Sequence, residues 1–289
     1  MKDPKTSNII HLHKRKPQSA FDGVQHPRVI TITSGKGGVG KTNIVANLGF
    51  NLCRLGQKVL ILDADLGLGN LDVLLGLTPE YNLSHVIRGE KKLSEIIVPG
   101  PGRLQILPAA SGIQEMTDLT AEEHHLVFRQ LEELIFNFDI LLIDTAAGIS
   151  ANVLYFNINA DEIVVVATPE PTSITDAYAL MKVLTVKYET DHFKVVVNSA
   201  ASEQEAEEVF HQLNMVANRF LHISLDYYGA ILLDENVKKG VRQQKVVSDS
   251  SPSAKASRNF AALARKIAEN PKPSVSGRVM KWCRTDLSN

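Results

Sequence analysis

The chain has 289 residues, of which 44% are hydrophobic and 22% charged, with a net charge of −1. That balance belongs to an ordinary globular protein long enough to bury a sizeable core, and it excludes an overall electrostatic pull towards nucleic acid or membrane. The charge is uneven, however: residues 1–28 carry six Lys/Arg against two acids, residues 271–289 carry four against one, and the middle is left at −8 by difference. Two basic tails flank an acidic body, which argues against direct nucleic-acid binding by that body.

Cys53 and Cys283 form no CxxC pair, and no apolar run approaches the roughly eighteen residues of a spanning helix. With no leader pattern at the start, the expectation is a reducing, cytoplasmic setting. The nine histidines, including His11/His13 and His124/His125, lack metal-site spacing, and the second pair is expected on a helix surface.

In chain order, residues 1–27 show no periodicity and read as a flexible basic tail. From Arg28 onwards, short β-branched runs alternate with longer amphipathic stretches. The runs are RVITIT (28–33), KVLIL (58–62), LQIL (104–107), DILLID (139–144), EIVVVAT (162–168) and FKVVVN (193–198). Continuous apolar runs suit strands covered on both faces. Helices are expected over about 41–55, 121–137, 173–188, 203–219, 235–242 and 253–268, the last serine of SDSSPS, Ser253, serving as a cap for the final one. This alternation predicts an α/β fold, a doubly wound and mostly parallel sheet flanked by helices, as one domain over 28–270. Residues 271–289 form a linker and tail.

SGKGGVGKT (34–42) is a phosphate-loop pattern between a β-rich run and a helix, the context the pattern requires. Gly35, Lys36, Gly37, Gly38, Val39, Gly40, Lys41 and Thr42 would wrap the phosphates of a nucleotide. Lys41 would bridge the β and γ phosphates, Thr42 would ligate Mg²⁺, and the helix N-terminus favours the anion. A functionless Gly-rich turn fits this context poorly. Lys36 is not required by the pattern, and local sequence leaves open whether it is a solvated loop lysine.

Two further segments carry acids at strand ends. In LILDADLGLGNLD (60–72), Asp63 and Asp65 alternate onto one side of the chain beside the phosphate loop. Asp65 is the candidate for orienting an attacking water, with Asp63 supporting it or the metal shell, and Gly67 and Gly69 suit a segment that rearranges. LLIDTAAG (141–148) ends an apolar strand in Asp144, expected beside Mg²⁺ through water. Any one such acid could cap a helix; three around one phosphate loop point to a hydrolytic site.

KGGVGKT, with lysine at the second loop position, resembles the deviant phosphate loop of the MinD/ParA class of ATPases. The resemblance implies that Lys36 reaches across a homodimer to the partner's nucleotide and acts as an arginine finger does elsewhere, so that hydrolysis is slow and depends on pairing. It also implies that Asn198, otherwise readable as a turn asparagine, contacts adenine. Asp234 in AILLDENV falls in the segment resembling the class's adenine-side loop, although relatives often have proline where this chain has Leu233.

Finer resemblance covers almost all of 28–270: DADLGLGNLDVLLGLTPEYNLSHVIRGE, LPAASGIQEM, DTAAGIS, EPTSITDAYALMK (170–182), VRQQKVV (241–247) and SPSAKAS are similar to the FlhG/FleN family of flagellar-number regulators. It implies an ATP- and Mg²⁺-dependent homodimer that restrains flagellar number or placement. Its implied partners are a flagellar transcription activator (FleQ/FlrA-like), the GTPase FlhF or flagellar basal-body proteins. The N-terminal segment lacks the DQA-type motif by which some members activate FlhF. The alternatives are a MinD/ParA-type cell-division or cargo-positioning ATPase and, from another class, a P-loop metabolic ligase. Iron–sulfur relatives would need paired cysteine ligands that this chain lacks.

SVSGRVMKWCRTDL (274–287) places Val275, Val279, Trp282 and Cys283 at roughly helical spacing among Arg278, Lys281 and Arg284. From Val275 to Leu287 it could lie on a membrane surface as an amphipathic helix, giving reversible peripheral association with the inner membrane. A disordered basic tail and a helix packed on the body are the other readings.

Overall fold

A computed structural model describes residues 27–65, 69–109 and 121–269. Eight strands form one sheet: β1 (Arg28–Ser34), β2 (Val59–Ala64), β3 (Val98–Pro99), β4 (Gln105–Leu107), β5 (Ile140–Ala147), β6 (Glu162–Ala167), β7 (Lys194–Ala200) and β8 (Asp226–Leu232). Their spatial order is β3-β4-β2-β5-β1-β6-β7-β8, and every pairing is parallel except the short edge pair β3–β4. The expected doubly wound sheet is the one found.

Side-chain alternation along the strands sorts the core onto two faces. Ile30, Ile32, Ile61, Leu142 and Val164 pack on one face with α1 (Lys41–Arg54) and α2 (Leu71–Leu75). Val29, Leu60, Leu141 and Ile143 face the other way, towards α3 (Leu83–Ile87), α4 (Ala121–Ile135) and α5 (Ala151–Asn159). That second face continues under α6 (Pro171–Tyr188) and α7 (Glu203–Leu221), and the first is completed by α8 (Glu235–Arg242), α9 (Val247–Ser250) and α10 (Lys255–Glu269).

Helix starts follow local chemistry. Ser202 accepts from the Glu205 N–H at 3.1 Å, Asp234 accepts from the Asn236 N–H at 2.9 Å, and α6 opens on Pro171, whose fixed φ suits a first turn.

Six of these elements escape the periodicity reading: β3, α2, α3 and α9 are too short to show a period, and β8 and α5 are the longer two. The β8 stretch DYYGAIL is broken by Gly229 and meets β7 with a register shift, so it lacks the continuous β-branched run of its neighbours. The α5 stretch ANVLYFNIN is buried on nearly all sides and has asparagines where an amphipathic helix would show charges, so no 3.6-residue period stands out. Among the described residues no helix is long and apolar enough to cross a membrane. The basic N-terminal tail and residues 275–287 lie outside the described residues.

Candidate nucleotide site

The parallel strands end on one edge, and β1 lies at its centre between β5 and β6. The chain leaving β1 therefore turns into α1 beside the ends of β2 and β5, where ligands gather in open α/β sheets. Gly40 makes the turn at φ 94°, a left-handed conformation that any side chain would strain, and a Cβ there would also sit 2.4 Å from Asn198 Nδ2. Gly35 is constrained differently: its Cβ would lie 1.9 Å from the Asp176 carbonyl oxygen, so only glycine lets α6 pack against the loop.

Lys41 is buried, and its Nζ donates to Ser34 Oγ at 2.8 Å, while the Ser34 hydroxyl donates to the Lys36 carbonyl at 2.7 Å. Burial pushes the Lys41 pKa down, opposed by the charges of Asp144 and Asp65. Asp63 and Asp144 are directly opposite in the β2–β5 register, each 2% exposed. Burial, with Asp65 adding to it, raises the Asp144 carboxyl to about 7, against the pull of its hydrogen bond with Thr42 and of Lys41. Asp63 is raised as well, by burial first and then by Asp144, although it accepts from the Asp65 N–H at 3.2 Å and the Leu71 N–H at 3.3 Å. Two carboxyls crowded in a dry site cannot both carry charge cheaply without a cation between them.

One buried oxygen of Asp144, Oδ1, makes no hydrogen bond, and it belongs to the carboxylate that Thr42 touches. An orphaned hard oxygen beside a hydroxyl, in a pocket of excess negative charge, is the donor set that a hydrated Mg²⁺ accepts. The residues present therefore fit the metal.

Lys36 goes elsewhere. Its ammonium pairs with the Glu170 carboxylate and donates to Thr172 Oγ1 at 2.8 Å, so it rests on the first turn of α6, away from Ser34 and Lys41. It is therefore not an unpaired surface lysine. Glu170 and Thr172 are the residues that sequence reasoning left without a chemical role. The only signal was their place in EPTSITDAYALMK, next to the strand end of β6.

Asn198 Nδ2 donates to the Val39 carbonyl at 2.7 Å, tying the end of β7 to the phosphate loop. Beside it opens a cleft of about 420 Å³, lined by Gly38, Asn43, Asn198, Asp234 and Val237 among others. Asp234 lines that cleft, but both of its oxygens are committed: Oδ1 caps α8 through Asn236, and Oδ2 accepts from the Ala256 N–H at 3.1 Å in the first turn of α10. Burial alone would raise its pKa, yet these hydrogen bonds and Lys255 outweigh burial and lower it. Asp234 thus shapes the cleft by fixing two helix starts. Gly67 lies outside the described residues, whereas Gly69 is described and packs so closely on Asp63 that a Cβ there would sit 2.7 Å from its Oδ2.

The comparisons agree with this geometry. A family model described as "AAA domain" matches residues 27–197. The antiactivator FleN of Pseudomonas aeruginosa is 46% identical over 253 residues, covering 87% of this chain and 90% of that one. The flagellum site-determining protein YlxH of Helicobacter pylori is 37% identical over 246 residues, covering 85% and 82%. Among solved structures, the septum site-determining protein MinD of Pyrococcus horikoshii, complexed with Mg-ADP, superposes with a TM-score of 0.71 at 25% identity, covering 84% of this chain and 96% of that one. A phosphate loop at the centre of a parallel sheet, buried acids on the neighbouring strands and likeness over nearly the whole chain lead to one assignment: this chain belongs to the MinD/ParA class of P-loop ATPases, in its FleN/FlhG branch.

Proposed function

We propose that this protein is a flagellar-number regulator that signals by pairing. Two ATP-loaded copies associate across the phosphate-loop edge, act on flagellar biosynthesis, and separate once ATP is hydrolysed. The observation that supports this best is the division between the two loop lysines: Lys41 is held inside on Ser34, and Lys36 is held outside on α6.

Lys41 holds the β and γ phosphates of the chain's own ATP, with the loop N–H groups from Gly37 to Thr42 around them. Thr42 and Asp144 are the residues that would hold Mg²⁺, which would offset phosphate charge when bound. Asp65 orients the attacking water, and Asp63 holds Asp65 in place through its backbone N–H. Asn198 and the neighbouring cleft receive adenine, with Asp234 as a wall. The Lys36–Glu170 pair is solvent-accessible, with the carboxylate 64% exposed, and such pairs contribute about 1 kcal/mol or less. Lys36 can therefore leave Glu170 at small cost when a partner's nucleotide offers more negative charge.

The partners proposed are those of the family: a flagellar transcription activator first, because the N-terminal segment lacks the motif for FlhF activation, and FlhF or basal-body proteins after it. Asp65→Ala tests this reading. In ATP it is expected to dimerise, to hydrolyse at least ~100-fold more slowly than wild type, and to retain the activator in pull-downs that ADP abolishes. An Asp65→Ala protein that stays monomeric in ATP contradicts the pairing.

Residues 275–287 are proposed as a conditional membrane anchor that gains strength when two copies are presented together. Liposomes containing anionic lipid should pellet full-length protein more with ATP than with ADP, and a form ending at Pro273 should pellet in neither. Equal pelleting of the two forms removes the anchor from the scheme.

A further inference from the structure

VRQQKVV (241–247) joins α8 to α9, and nothing in the hydrolytic scheme so far uses it. Gln244 sits at φ 55°, a left-handed backbone just past the end of α8. Its N–H donates to the Val241 carbonyl and the Lys245 N–H to the Gly240 carbonyl, both at 3.0 Å, the paired bonds of a helix closed by a left-handed residue. Glycine occupies such a position without the steric cost that glutamine meets. Glu189 and His222 end α6 and α7 in the same left-handed conformation, so what singles out Gln244 is the contact its side chain makes.

It reaches α2. Gln244 Nε2 donates to the Val73 carbonyl at 2.9 Å, in the C-terminal turn of a five-residue helix, and supplements there the longer bond of 3.3 Å from the Gly76 N–H of the helix cap. The N-terminal end of the same helix is held by Asp63, which accepts from Leu71 N–H through one oxygen and from Asp65 N–H through the other. The junction is anchored on a third side: Ser248 N–H donates to Asn47 Oδ1 at 3.0 Å, and Asn51 Nδ2 donates to Ser248 Oγ at 2.8 Å, fixing α9 to the helix that follows the phosphate loop. A short helix is thus pinned between the candidate catalytic acids and a turn that is itself braced on α1.

We infer that Gln244 is a positioning residue for hydrolysis: its amide fixes the far end of α2, so that Asp63, and through it Asp65, are held in their working arrangement. This rests on the reading of Asp65 as the residue that orients water. The donated proton is what matters, because Val73 offers only a carbonyl.

Three substitutions separate donation from packing. Gln244→Gly removes the side chain at a backbone position glycine favours. Gln244→Glu keeps the shape and loses the donor. Gln244→Lys keeps a donor and loses the shape. At saturating ATP and protein, Gln244→Gly and Gln244→Glu should lose about three- to tenfold in kcat, the scale of one net hydrogen bond, and Gln244→Lys should stay within about twofold of wild type. Binding of a fluorescent ATP analogue should remain within about twofold for all three, as a loss confined to kcat requires. Wild-type kcat in Gln244→Glu, equal losses in all three, or a loss in binding instead of kcat each overturns the proposal. Asp65→Ala measured alongside separates the two levels. If it hydrolyses at the wild-type rate, the assignment of Asp65 fails and the role of Gln244 fails with it; if it is inactive, the Gln244 variants decide their own case.

Discussion

Lys36→Ala should bind ATP about as well as wild type and lose nearly all hydrolysis. The Lys36 ammonium has its partners, Glu170 and Thr172, at the start of α6, and only the Lys36 backbone carbonyl, which accepts from the Ser34 hydroxyl, touches the site of its own chain. Removing it leaves the nucleotide pocket of its own chain intact, so affinity should change by no more than about twofold, as for loss of a group that acts only in the transition state. A cation delivered in trans to phosphoryl transfer contributes roughly 10³- to 10⁵-fold in rate, and a loss of at least about 10³ is expected here. Steady-state phosphate release, read with equilibrium nucleotide binding, checks both halves. Glu170→Ala is the complementary change: it frees Lys36 without deleting it, so hydrolysis should survive.

Asp144→Asn should make the nucleotide-free protein more stable and functionally dead. The Asp144 carboxyl is raised to about 7, with burial the first cause. A carboxyl that holds its proton more tightly folded than unfolded gives no penalty below the unfolded value of about 4. The penalty grows as pH rises through the interval between the two values and is complete above about 7, where it is on the order of 4 kcal/mol. Asparagine removes the buried charge, although it also leaves Lys41 with one fewer counter-ion. At pH 8 the melting temperature should therefore rise by about 5 °C, the gain shrinking towards pH 5 and vanishing below about 4. Thermal melts across that range check the sign, and Mg²⁺-dependent ATP binding should be lost at every pH. A variant less stable than wild type at pH 8 would mean that Asp144 is held as an anion by partners stronger than Thr42 and Lys41.

Both predictions separate what the sequence makes legible from what only folding reveals. Asp63 and Asp144 could be picked out because each ends an apolar β-branched run, and a parallel sheet necessarily puts such ends on one edge. Their direct opposition follows from β2 pairing with β5, a neighbour relation that no local pattern states. Lys36 is the sharper case. Its place in the loop suggests a second lysine with a separate task, but its resting partner Glu170 lies 134 residues away and meets it only because β6 sits beside β1. Asp234 shows the opposite failure. Its position by the cleft is legible from resemblance, while its double capping of α8 and α10 depends on Ala256, which sequence spacing does not bring near. The clasp by Gln244 is hidden for the same reason, since Val73 and Gln244 are 171 residues apart.

The central claim is that Lys36 serves the neighbour's nucleotide, and mixing two inactive proteins tests it most directly. Lys36→Ala and Asp65→Ala are each expected to bind ATP and to fail alone. In a mixed dimer, the site on the Lys36→Ala chain keeps its own Asp65 and receives Lys36 from the other chain. Random pairing makes half the dimers mixed with one working site in each, so an equimolar mixture should recover about a quarter of wild-type hydrolysis, as expected for a two-fold symmetric dimer. A mixture no more active than its separate components would place Lys36 in the site of its own chain and contradict the account.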